Sequence, residues 1–145
     1  MYIFNPAAPF LSDLNLILQA VIVALLTFAV FFRLRHSFVR HAVMMGTAIG
    51  LHTAAILAIM VPSLLSMDGL LGNLSTRFSL ITLTHSAVGS LVEIMGVWLI
   101  AAWLVDTTRV EKCVKRKNVT RVTIALWLAQ LVLGVYIYMM LYLGV

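Results

Sequence analysis

The chain has 145 residues, 63% of them apolar and only 10% charged, where an average soluble domain is about 45–50% apolar and about 25% charged. So little charge cannot cover a water-facing surface, which excludes a soluble globular domain and, more firmly, a disordered chain. The net charge of +5 comes from ten Lys and Arg against five Asp and Glu, but the placement of these charges points to membrane topology and not to nucleic acid. Cys113 is the one cysteine, so no intrachain disulfide is expected.

The expected architecture is a single all-α, four-transmembrane-helix bundle with helices at about 13–34, 38–65, 77–106 and 119–144. Each apolar run is long enough to span ~30 Å of hydrocarbon, and a helix is the default because a span must satisfy its backbone internally. Asn5-Pro6, Pro9 and Ser12-Asp13 precede the first run and suit a helix start. No cation lies ahead of it, so it reads as a retained helix and not as a cleaved signal.

The second run follows a connection with Arg33, Arg35, His36 and Arg40, and Pro62 lies near its end. The third begins after a connection at about 63–76 that is nearly free of cations. The fourth follows Arg109, Lys112, Lys115, Arg116, Lys117 and Arg121. Nine of the ten basic residues thus fall on one side of the bundle. The positive-inside rule then puts both termini outside, in a multi-pass protein of the plasma membrane.

Ionisable side chains inside a span are costly and are functional suspects. The candidates are His41, His52, His85 and Glu93, with Asn15, Gln19 and Gln130 as milder cases. His41 and His52 are eleven residues apart and share a helix face with Met45, Ala48 and Ala55. His85 shares a stripe with Gly89 and Gly96. Small neighbours leave room for a flat ligand, although glycine also lets helices approach closely.

If the second and third helices mirror each other about the 63–76 connection, His52 and His85 lie at one height. Two facing imidazoles at one height could ligate a haem b iron from both sides. Hydrogen bonding to Thr53, Thr84 or Ser86, a copper site with methionines, and proton or quinone chemistry stay open beside that reading. The same mirror sets His41 against Gly96, with Met95 adjacent, as a weaker second haem site. It also sets Glu93 near His41, a pair that could relay protons toward a quinone-like carrier or a haem edge.

Further short motifs are Asp13-Leu-Asn15, Arg40-His41-x-x-Met44, Leu83-Thr84-His85, Trp127, Gly134-Val-Tyr136 and Met140-Leu-Tyr142. In these the chain resembles a small family of four-helix membrane proteins of unknown function, some of which assist maturation of haem-copper oxidases. Its layout is also similar to small four-helix b-type cytochromes. The leading expectation is a haem-b-binding electron-transfer subunit that docks with other membrane subunits or a partner cytochrome. An oxidase assembly factor and a purely structural subunit are the alternatives. Catalysis by this chain alone is not expected.

Overall fold

A computed structural model describes residues 8–66, 76–105 and 116–144. They form four helices: α1 (Phe10–Leu34), α2 (Phe38–Leu65), α3 (Arg77–Val105) and α4 (Lys117–Tyr142). Each is long and apolar enough to cross a membrane. At 1.5 Å per residue, even the 25-residue α1 reaches ~37 Å, beyond the ~30 Å hydrocarbon core. The expected bundle is therefore present. The cations Arg109, Lys112 and Lys115 lie outside the described residues.

The helices pack as two hairpins, α1 on α2 and α3 on α4, joined by a leaner α2–α3 contact. Bonds from Ser12 to Tyr142 and from Tyr138 to Asp13 bring the starts of α1 and the end of α4 together. The start of α1 and the end of α4 thus share one end of the bundle, here the terminal end. Arg33, Arg35, Arg40 and Arg116 lie toward the other, basic end.

The apolar core sits around mid-height. It joins Ile22, Leu26 and Ala29 of α1, Met45, Ala48 and Ile49 of α2, Val92 of α3, and Trp127 of α4. The buried positions of α1 and α2 recur every three or four residues, the helical period. On α3 the buried stripe is Ser79, Thr82, Gly89, Val92 and Gly96. These small side chains let neighbouring helices approach closely. Several hydroxyls need no tertiary partner. Thr27, Thr84, Ser86, Ser90 and Thr123 each donate to the carbonyl four residues earlier.

Two local features follow from particular residues. α2 widens into a π-turn over Ile56–Met60 just before Pro62. Proline has no N–H to donate and its ring crowds the carbonyl four residues back, which disfavours a regular α-turn there. The α1–α2 connection is a Schellman turn. His36 N–H donates to the Arg33 carbonyl and Ser37 N–H to the Phe32 carbonyl, and His36 takes φ of 57°. Glycine normally fills that left-handed position, so a histidine there stores strain. His36→Gly should raise the stability of the folded chain by about 0.5–1 kcal/mol, and His36→Val should lower it. Thermal unfolding in detergent, read by circular dichroism, checks both signs.

Candidate functional site

The polar side chains of the interior sort into two groups, divided by Trp127. The first is a cluster at mid-height. Glu93 stands near the middle of α3 and His52 near the middle of α2. His52 Nδ1 lies 2.8 Å from Glu93 Oε2. Thr53 Oγ1 lies against Glu93 Oε1 and also 2.9 Å from the Ile49 carbonyl. The His52 side chain is fully buried, while Glu93 keeps 17% of its side chain exposed. The His52 ring packs at 4.7 Å on the Trp127 ring.

These bonds set the register between α2 and α3. A Cβ on Gly96 would come within 3.1 Å of Ile49, and one on Gly46 would meet Ile100 at 3.8 Å. All of these pairs join residues whose numbers sum to 145 or 146. The mirror partner of His52 is therefore Glu93. His85 is eight residues nearer the terminal end of α3, an axial offset of ~12 Å.

This corrects three expectations. His52 and His85 do not share one height. Glu93 pairs with His52 and not with His41. His41 is itself buried and donates from Nδ1 to the Ala29 carbonyl at 2.8 Å, clasping α2 to α1. The second-site trio of His41, Met95 and Gly96 is not brought together either, because Gly96 lies against Ile49. Ala48 belongs to the apolar core and Ala55 is 1% exposed, so their small size admits a neighbouring helix and not a ligand.

The second group surrounds a cavity of about 250 Å³ in the terminal half. His85, Gly89, Trp127 and Gln130 line it, with Asn15, Gln19 and Thr82. His85 donates from Nδ1 to the Gln130 carbonyl at 3.1 Å. Gly89 makes room for the Gln130 amide, which a Cβ would meet at 2.7 Å, and Gly134 makes room for the His85 ring, at 3.0 Å. Asn15 Oδ1, Gln19 Nε2, Thr82 Oγ1 and Gln130 Oε1 are buried without a partner among the described residues. Gln19, Thr82 and Gln130 are each at most 6% exposed. Buried polar atoms are nearly always bonded, so these four are placed for a guest, whether water or ligand. Among the described residues no formally charged side chain lines the cavity, which suits a neutral guest.

A haem between His52 and His85 can be tested against this geometry. The donors match: each ring is held at Nδ1 by an acceptor, as ligating histidines commonly are, and His52 Nε2 is buried without a partner. The room does not match. A cavity of about 150 Å³ holds one benzene, so the four rings of a tetrapyrrole call for about 600 Å³ or more. The cavity reaches His85 but not His52, whose ring is covered by Trp127. As packed, these residues do not accommodate a haem plane.

Sequence reasoning passed over Asp13 and Tyr138 as site residues. Asp13 looks like a helix-start residue, yet it is fully buried and accepts the Tyr138 hydroxyl at 2.7 Å. Its place inside the first turn of an apolar run was the available signal. The Glu93–His52 pair makes a stability prediction. Glu93→Leu leaves His52 Nδ1 buried without its acceptor and should cost about 1–3 kcal/mol. Adding His52→Leu should recover part of that loss, because the pair is removed whole. Unfolding of the two single variants and the double variant in mixed micelles measures the coupling, and strictly additive losses would contradict it.

No family model matches this chain, and no match is found among curated proteins or among solved structures.

Proposed function

We propose that the protein is a plasma-membrane subunit that binds the head group of a lipophilic quinone or quinol and serves a larger redox assembly. The observation that carries this reading is the set of four orphaned polar atoms around one uncharged cavity. Neutral amides and a hydroxyl suit carbonyl and hydroxyl oxygens and offer nothing to a phosphate. The amides of Asn15, Gln19 and Gln130 can each donate and accept, so either redox form finds partners. Trp127 supplies a flat wall. At about 250 Å³ the space exceeds the about 150 Å³ that holds benzene and leaves room for ring substituents.

Access fits the same ligand. α1 and α4 touch little apart from the bonds at their terminal ends. An isoprenoid tail can therefore leave between them into lipid. The nine cations of one side favour a basic end in the cytoplasm, which would put the cavity in the outer half.

The test is a titration of the purified full chain in nanodiscs with decylubiquinone and with menadione, followed by tryptophan fluorescence. Saturable quenching is expected. Gln130→Leu and Thr82→Val should each weaken binding about tenfold, the equivalent of one lost hydrogen bond of about 1.4 kcal/mol. Gly89→Leu, which fills the cavity, should abolish it. Non-saturable partitioning that these variants leave unchanged would overturn the proposal. The same preparation decides the haem expectation: a b-type visible spectrum from haem-replete cells, lost in His85→Ala, would replace the quinone reading.

A further inference from the structure

We propose that Glu93 is a proton-holding site at mid-membrane, kept as the neutral acid and open to the bilayer. The site is separate from the cavity, whose lining does not include Glu93, and it does not depend on what the cavity binds.

Proton counting carries the inference. The Thr53 hydroxyl has one hydrogen and two close oxygen neighbours, the Ile49 carbonyl and Glu93 Oε1. A carbonyl only accepts. If Thr53 donates to Ile49, as hydroxyls in helices commonly do, the bond to Glu93 requires the acid to donate. Glu93 Oε1–H then donates to Thr53, and Thr53 donates to Ile49. Oε2 accepts from His52 Nδ1–H.

Every hydrogen in this arrangement has an acceptor. An ionised Glu93 that accepts from both Thr53 and His52 satisfies the same hydrogens but leaves a net charge within the span. A second alternative moves the proton from Glu93 to His52. It leaves a charged pair in a medium that penalises charge. It also creates an N–H at His52 Nε2, which is buried with no partner. The neutral acid avoids these costs. Among the described residues the side chains touching the carboxyl are His52 and Thr53 of α2. On Glu93's own helix the other titratable groups are His85 and, at its first residue, Arg77.

The second element is access. The His52 side chain has no exposure and Glu93 has 17%. Since Glu93 does not line the cavity, its open edge faces outward beside the lean α2–α3 seam. In a bilayer that edge meets lipid or a partner helix. A neutral, lipid-facing carboxylic acid reacts with a lipophilic carbodiimide. Its O–H adds across one C=N bond, the proton goes to nitrogen, and the carboxyl oxygen bonds the central carbon. Transfer of the acyl group to nitrogen then gives a stable N-acylurea.

The experiment treats the full chain in lipid vesicles with dicyclohexylcarbodiimide or with a water-soluble carbodiimide, and maps the adducts by mass spectrometry. One lipophilic adduct per chain is expected at Glu93, absent in Glu93→Gln. Asp13, fully buried, should stay unmodified. Thr53→Val removes the acceptor of the acid proton and should change the labelling rate severalfold, and Thr53→Ser should restore it. Absence of the adduct, or faster modification of Glu93 by the water-soluble reagent, would overturn the proposal. Quinone binding is read separately, so failure of one proposal leaves the other standing.

Discussion

The packing of the bundle depends on one constraint: a carboxyl group at mid-membrane must find its hydrogen-bond partners inside the protein. Water supplies none there, and an orphaned polar group is costly. Glu93 solves this across a helix boundary, with both oxygens bonded to consecutive residues of α2. Shifting α3 by one turn would break both bonds and drive Gly96 away from Ile49. The apolar surfaces on either side are nearly interchangeable and do not choose a register by themselves. The polar pair does, and the glycines let the backbones come close enough for it to form.

Trp127 then divides the interior. One side of its indole packs on His52, and the ring also forms part of the cavity wall. The proton-bearing cluster and the ligand-sized space are therefore neighbours that share a side chain. A guest in the cavity would touch the residue that covers His52.

The residue types of the interior were legible in the sequence, because a bilayer span tolerates few polar groups and each one announces itself. His41, His52, His85, Glu93, Gln19 and Gln130 all lie in the interior with partners or on the cavity. Their pairing was not legible. A mirror argument places partners by the centre of the connecting loop, and an error in that centre counts twice in the partner's number. The connection bounded at 63–76 has its centre near 69.5, although α2 runs on to Leu65 before α3 starts at Arg77. The contacts put it near 72.5. That shift of three moves His52's partner by six positions. The π-turn over Ile56–Met60 adds an irregularity that a count of 3.6 residues per turn does not anticipate. Asp13 was hidden for another reason: an acid in a first helical turn has an ordinary explanation as a charge near the helix dipole. Only the fold shows that Tyr138, 125 residues away, covers it.

The two ends of the bundle differ in how they meet the cost of order. At the basic end the polar demand falls on backbone and arginine. A Schellman turn closes α1, His41 ties α2 to the Ala29 carbonyl, and Arg33, Arg35, Arg40 and Arg116 each lie over an aromatic ring. Every one of these contacts is local or joins adjacent elements. At the terminal end the bonds are long-range, from α1 to α4, and behind them lie four amide or hydroxyl atoms that bond to no group among the described residues. Apolar residues would have filled that volume with better packing and no desolvation cost. Stability alone gives no reason to keep Gln19, Thr82 and Gln130 buried around a space, whereas the proposed binding would. The proposed site therefore belongs in the terminal half.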